Sequence, residues 1–345
     1  MAGPAASTRT PDPREAPSLR WGILGTGWIA DKFVTALQRN TTQQVHAVGS
    51  RSQEGADRFA SAMGASAAYG SYEALVADPD VDIIYVATPH NHHHANAVLA
   101  IDAGKHVLIE KPIAISEAEA QDIADRAAAA GVFCMEALWT LFLPKYDVLR
   151  QLLDDMVVDT VLADMGEYFT PDHRIFRADL AGGPLYDMAT YPLSFAMWAL
   201  GDPERIAAAG TPAPNGINGQ LAMQLVGADG GVAALHCSII GETPTTGVIA
   251  SADRTITIDG PFYQPGGFTV TTRGGESARY DEEPVAHEGG LHFQAADVAR
   301  LITAGARESD VRPLAHSIRL LRVMDAIREQ VGIPLPAGVR RVRCR

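Results

Sequence analysis

The chain has 345 residues, 47% hydrophobic and 20% charged, which excludes a collagen-like, coiled-coil or wholly disordered polymer and, at about 150 residues per domain, fits two domains. Its 41 Asp and Glu outnumber 28 Lys and Arg, for a formal charge of −13, a surface that repels phosphate backbones and argues against nucleic acid as a partner. Cys134, Cys237 and Cys344 form no CxxC pair, which speaks against a disulfide framework or structural zinc and for a reducing, cytoplasmic setting. No apolar run approaches the roughly 20 residues of a membrane span, and the first residues lack a signal-peptide core.

In chain order, residues 1–18 are rich in Pro, Ala and Ser without periodicity and read as a disordered tail. Arg20-Trp-Gly-Ile-Leu-Gly25 is a buried-strand pattern, followed by a helical face of Ile29, Phe33, Ala36 and Leu37. Val45–Gly49 and Asp82–Thr88 read as further strands, the second closed by Pro89. A helix over about 92–103 ends at Gly104, a strand over 105–110 precedes Lys111-Pro112, and Ser116 followed by acidic residues opens another helix. Strands alternating with helices predict a doubly wound parallel sheet over 19–140. From 141 to 335 the pattern changes to strand-like stretches at Val161–Phe169, Leu221–Val226, Val232–Ser238, Gly247–Ala252 and Thr255–Asp259, closed by helices near 288–304 and 314–331. That half predicts an α/β domain with an open, mostly antiparallel sheet, the last helix being able to pack back on the first domain. Residues 336–345 read as a basic, solvated tail.

Gly25-Thr26-Gly27-Trp28-Ile29-Ala30 is a G-x-G-x-x-A between a strand and a helix, the setting a dinucleotide fingerprint requires. Its glycines admit a tight turn and the pyrophosphate, and the helix N-terminus offers N–H groups and partial positive charge. The second strand ends in Gly49-Ser50-Arg51-Ser52. No carboxylate stands there to take a ribose 2′-hydroxyl or repel a 2′-phosphate, so Arg51 with Ser50 and Ser52 favours NADP, with NAD as the alternative. Thr88-Pro-His90-Asn-His92-His93-His94 packs four histidines into five positions at a strand's carboxyl end. Without carboxylate or thiolate ligands at deliberate spacing it is not read as a metal site; Thr88, His90 and His93 are placed at the cofactor, together with Glu110 and Lys111 of Glu110-Lys111-Pro112. In Gly182-Gly-Pro-Leu-Tyr-Asp187-Met-Ala-Thr-Tyr191, Asp187 and Tyr191 stand i, i+4 and are expected on one helix face, an acid and a phenol able to orient and protonate a carbonyl.

Together these stretches resemble the Gfo/Idh/MocA family, named for glucose-fructose oxidoreductase, inositol dehydrogenase and a rhizopine-catabolism protein. Glu110-Lys111-Pro112 after Ala103-Gly-Lys-His-Val107 is among its most specific signatures. Met135-Glu-Ala-Leu-Trp139-Thr140 with Phe142-Leu-Pro144, and Tyr191 where many relatives have histidine, look like the dihydrodiol dehydrogenase and NADP-dependent D-xylose dehydrogenase branch. The resemblance implies a Rossmann domain, a substrate domain, a homodimer or higher oligomer formed through the C-terminal sheet, and hydride transfer with Lys111 and Tyr191 at the reacting carbon. Leu141 replaces the branch's usual arginine, Ala181 a loop glycine and Ala189 another glycine, and Pro184 enters where a small residue is common.

The expected activity is NADP-dependent oxidoreduction of a secondary alcohol or carbonyl on a sugar or small cyclic diol. Lys111 would lower the pKa of Tyr191 from its reference of about 10, Asp187 would orient the substrate or Lys111, and Trp139 and Phe142 would form an apolar wall or pack in the core. A 3-ketosugar reductase and a non-catalytic NADP-binding regulator are the alternatives; a regulator needs neither Lys111 nor Tyr191.

Overall fold

The computed structural model describes residues 7–213, 217–282 and 287–335. Strands and helices alternate as β1 (Arg20–Leu24), α1 (Trp28–Asn40), β2 (Gln44–Gly49), α2 (Gln53–Met63), β3 (Ala67–Tyr69), α3 (Tyr72–Val76), β4 (Ile83–Val86), α4 (His93–Asp102), β5 (His106–Glu110), α5 (Glu117–Ala130) and β6 (Cys134–Ala137). There follow α6 (Pro144–Leu153), β7 (Thr160–Gly166), α7 (Pro184–Asp187), α8 (Thr190–Leu200), β8 (Pro203–Pro212), β9 (Asn218–Gly227), β10 (Val232–Ser238), β11 (Gly247–Ala250), β12 (Arg254–Ile258), β13 (Phe268–Thr272), β14 (Ser277–Tyr280), α9 (Leu291–Thr303) and α10 (Leu314–Gln330).

Two compact units emerge. Among the described residues, one holds 11–142 and 287–318, the other 7–10, 143–282 and 319–335. The first is built on a parallel sheet in the order β3-β2-β1-β4-β5-β6. That order reverses between β1 and β4, the switch point where ligands bind in open α/β sheets. Ile23, Leu24, Ile83, Val86, Val107 and Ile109 are fully buried, as helices on both faces require. The second unit carries an eight-stranded sheet, β14-β13-β12-β11-β7-β10-β9-β8, antiparallel at every pairing except β7 with β10.

Residues 7–18 correct the expected disordered tail. Asp12 caps a 3-10 turn over Pro13–Glu15, and Ala16 is buried against Ala296 and Ala299 of α9. Arg9 pairs with Asp147 at 3.0 Å. A few anchored side chains order a segment whose composition has no periodicity. Residues 1–6 and the basic tail at 336–345 lie outside the described residues. Ser317, in the first turn of α10, donates to Glu136 of β6 at 2.7 Å within the parallel-sheet unit, whereas Arg319 pairs with Asp202 in the other.

Candidate active site

In the parallel-sheet unit, Gly25 has φ +106°, and a Cβ there would stand 2.7 Å from the Ala87 carbonyl oxygen, so only glycine fits the turn. Gly27 is the N-cap of α1, and a Cβ there would meet nothing within 4 Å. Packing does not call for this glycine; it leaves room beside the helix end. α2, α3 and α5 begin with serine side-chain caps from Ser52, Ser71 and Ser116, but α1 has no side-chain cap. α4 likewise has none; at α1 the open space beside Gly27 leaves the first N–H groups accessible to an anion. A dinucleotide pyrophosphate fits Gly25, Thr26, Gly27 and the first turn Trp28-Ile29-Ala30. Trp28 is 61% exposed there.

At the end of β2, Arg51 is exposed and Ser50 partly buried. Ser52 is committed to capping α2, its Oγ accepting from the Gly55 N–H at 3.2 Å, so Arg51 is the exposed cationic group at this strand end.

The histidine run disperses. His93 is fully buried, with Nδ1 2.8 Å from the Pro112 carbonyl oxygen and Nε2 2.7 Å from that of Thr88. Both ring nitrogens face protein carbonyls, which corrects its expected cofactor contact: the ring ties two strand-end loops together. Burial pushes its pKa down, so the neutral ring donates to one carbonyl at a time. His90 is buried with its ring edge-on to His93 at 5.6 Å, and His94 pairs with Asp122 at 2.8 Å. Asn96 donates to the Thr88 hydroxyl at 3.1 Å. Among the described residues, the one group spaced to hold a metal is His46, Asp78 and Asp80, away from this run. There the Arg20 guanidinium pairs with Asp80 at 2.7 Å, and His46 with Asp78 at 3.3 Å.

Glu110 is also reassigned. It is buried, Oε1 accepting from the Tyr85 hydroxyl at 2.5 Å and Oε2 from the Lys111 N–H at 3.1 Å. Both of its oxygens are engaged by the protein. Burial pushes its pKa up to about 7, opposed by the hydrogen bond from Tyr85 and the Lys111 charge. Lys111 itself is partly exposed.

Residues the sequence reading passed over complete this unit. The His287 ring lies 5.3 Å from Trp139 and edge-on to Trp28 at 5.2 Å; burial first, then the Lys111 charge, push its pKa down to about 4. Trp139 is buried, and Phe142 nearly so. Glu136 is fully buried: Oε1 accepts from the Ile113 N–H at 2.9 Å, and Oε2 from Arg312 Nε at 2.9 Å, Arg312 Nη2 at 2.5 Å and Ser317 Oγ at 2.7 Å. A charged residue inside an apolar strand signals such a partner; the partner is 176 residues away.

In the other unit, Tyr191 is buried and stacked on Tyr263, centroids 4.4 Å apart and planes 27° apart. Burial pushes the Tyr263 pKa up. Asp187 Oδ1 receives Arg174 Nη2 at 3.1 Å, the carboxylate buried and the guanidinium half-exposed. The expected shared helix face does not form. Asp187 ends α7 and Tyr191 lies in the first turn of α8. Between them the Ala189 N–H reaches the Pro184 carbonyl, five residues back, and the Tyr191 N–H reaches Met188, three back. These bonds interrupt the i→i−4 register between the two residues. Arg174 and Tyr263 were not singled out in the sequence; an aromatic pair, Phe262-Tyr263, set among Gly and Pro was the available signal for the second.

Two family models match: the oxidoreductase family's NAD-binding Rossmann fold over residues 19–138, and the GFO/IDH/MocA C-terminal domain over 147–260. The chain belongs to the Gfo/Idh/MocA family. It is an oxidoreductase of that family with a nicotinamide-dinucleotide-binding Rossmann domain. Trans-1,2-dihydrobenzene-1,2-diol dehydrogenase of Bos taurus is 32% identical, covering 92% of this chain and 98% of that protein. The same enzyme from Danio rerio is 33% identical over equal shares. Gfo/Idh/MocA-type folds also appear among solved structures. An NAD-binding oxidoreductase of Klebsiella pneumoniae superimposes with TM-score 0.82 at 21% identity, over 91% of this chain and 97% of that one. A 3-ketoreductase of Actinomadura kijaniata, solved with NADP, gives 0.81 at 22%, over 91% and 98%. At these identities the solved structures speak to the fold. Among the described residues no helix is long and apolar enough to cross a membrane.

Proposed function

We propose that this protein is an NADP-dependent dehydrogenase that moves a hydride between the nicotinamide and a secondary alcohol or carbonyl of a small cyclic diol or sugar. The observation that carries the substrate class is full-length similarity, above 30% identity, to relatives named as dehydrogenases of a cyclic diol. When bound, the dinucleotide accepts or supplies the hydride; the chain's own side chains handle the proton. Tyr191 takes the substrate's hydroxyl proton in oxidation and returns it in reduction, Lys111 favours negative charge on the reacting oxygen, and Asp187, held by Arg174, orients the substrate. Cys134 and Cys237 are buried free thiols, which supports a reducing compartment.

NADP over NAD rests on the end of β2, where exposed Arg51 follows Ser50 and no carboxylate intervenes. Arg51→Ala removes a charge-assisted bond worth about 1.5–3 kcal/mol. The expected loss of NADP efficiency is therefore about tenfold to a hundredfold, with NAD almost untouched. The check is absorbance at the nicotinamide band, with both cofactors and a panel of pyranoses and cyclic diols. Wild type preferring NAD, or an unchanged cofactor ratio in the variant, sinks the NADP reading. Silence across the panel sinks the substrate class.

We also propose a homodimer through the large sheet. One of its faces carries small or apolar exposed residues, including Leu162 at 45% exposure, Ala209, Ala222 and Ala234, around a shallow concavity of about 700 Å³. Exposed apolar area of this kind marks interaction sites. A monomeric mass by light scattering at micromolar concentration overturns this.

A further inference from the structure

Three successive backbone groups around Lys111 are each met by a buried side chain from a different element. The Lys111 N–H donates to Glu110 of β5 at 3.1 Å, the Pro112 carbonyl faces His93 of α4 at 2.8 Å, and the Ile113 N–H donates to Glu136 of β6 at 2.9 Å. Each of these side chains is anchored elsewhere: Glu110 by Tyr85 of β4, His93 by the Thr88 carbonyl, Glu136 by Arg312 and Ser317. Tyr85 is in turn stacked on Phe33 of α1, centroids 3.9 Å apart. Ordinary strand ends leave such peptide groups to water or to turns; three buried polar side chains here hold one short segment.

We propose that Glu110, His93 and Glu136 are positioning residues that clamp the backbone on both sides of Lys111 and so set the aim of its ammonium. The proposal rests on the reading of Lys111 as a residue of the reaction. An ammonium displaced by about 1 Å costs about a hundredfold in rate, which gives the clamp its purpose.

The Glu110 carboxylate uses one oxygen for Tyr85 and the other for the Lys111 N–H. A proton on Oε1 reverses the Tyr85 bond, the phenol oxygen then accepting, while Oε2 still accepts from the Lys111 N–H; the clamp loses its charge and is weakened. Tyr85 from β4, Lys111 from its own segment and Glu136 from β6 are the charged or titratable groups that act on it; His93 on α4 senses the same Lys111 and Glu136 charges. Burial raises Glu110 to about 7, so the clamp is charge-assisted above that pH and held by weaker neutral hydrogen bonds below it. Wild-type kcat therefore falls on the acid side of about 7.

The test uses Glu110→Gln in the full chain. The amide oxygen can accept from the Lys111 N–H while its NH2 donates to the Tyr85 oxygen, so the variant keeps the shape of the clamp and loses its charge assistance. Amide exchange at Lys111 is expected to accelerate by about tenfold or more, while Ile113, held by Glu136, keeps its protection. Turnover is expected to fall about tenfold to a hundredfold, the acid limb near pH 7 to vanish, and the KM for the dinucleotide to stay within about twofold. Unchanged Lys111 exchange with unchanged kcat overturns the clamp. Lys111→Met is assayed alongside: wild-type turnover there removes Lys111 from the reaction, and amide exchange still decides the clamp by itself. Should the Gln variant not fold, Tyr85→Phe keeps the stack on Phe33 and removes one donor to the carboxylate. Its acid limb is expected to move to higher pH, and an unmoved limb overturns the proposal.

Discussion

Tyr191→Phe is expected to lower turnover about a hundredfold to ten-thousandfold, the usual contribution of a general acid–base group, or about 2.7–5.4 kcal/mol of barrier at 1.36 kcal/mol per decade. The change deletes one hydroxyl from a buried ring stacked on Tyr263. A phenyl ring keeps that stack and almost all of the volume, so the fold should survive. Dinucleotide affinity should hold within about twofold, because the glycine turn, the uncapped start of α1 and the end of β2 belong to the parallel-sheet unit and contain no part of Tyr191. The measurements are kcat for the substrate identified by the panel and NADPH titration of the free enzyme. A variant that turns over at near wild-type rate removes Tyr191 from proton transfer.

The largest stability effect is expected at Glu136. Removing one member of a buried ion pair leaves the other charge without compensation and costs about 3–5 kcal/mol. Glu136→Ala strands Arg312, which is itself buried, along with the Ser317 hydroxyl and the Ile113 N–H. Urea unfolding with an unchanged slope and a midpoint lowered by that amount is the expected result. The pair itself need not be a net gain, so a double replacement by Met at 136 and 312 should recover most of the loss. A single variant costing under about 1 kcal/mol shows that Arg312 finds water or another acceptor.

The parallel sheet was legible because its strands are buried on both faces. β1, β4 and β5 carry runs of apolar residues without alternation, and the helices after β1 and β2 have a clear apolar face. β3 is three residues, Ala67–Tyr69, and β8 runs through Pro203-Glu-Arg-Ile-Ala-Ala-Ala-Gly-Thr-Pro212. Neither has the β-branched or aromatic content that marks a strand in isolation, and both exist because a neighbour supplies the ladder. β13 and β14 went unread for a similar reason: their pattern is mostly half-exposed Thr, Ser and Arg.

The site was legible where chemistry needs a particular residue type and illegible where it needs a partner. Gly25 and Gly27 announce themselves, since only glycine meets the backbone demand at the first and only open space explains the second. Glu110 and His93 were expected at the cofactor, and the structure shows each of them holding backbone groups. A sequence shows that a carboxylate and an imidazole are close to Lys111; it does not show that both are turned inward to the backbone. Asp187 and Tyr191 failed differently. Their spacing assumed a continuous helix, and a single five-residue backbone bond from Ala189 to Pro184 changes the phase.

The parallel pairing of β7 with β10 has a consequence for how this protein can vary. α8 packs on these two central strands, so the element bearing Tyr191 is seated on the middle of the sheet. Growth toward either margin proceeds by antiparallel neighbours, ending in the β13–β14 ladder on one side and the β8–β9 ladder on the other. The recognised C-terminal domain stops at residue 260, short of β13. An outer ladder beyond that limit can lengthen, shorten or change its residues while the seat of the tyrosine stays put. Diversity among descendants should therefore accumulate at the β13–β14 margin, and the chemistry-bearing middle should drift least.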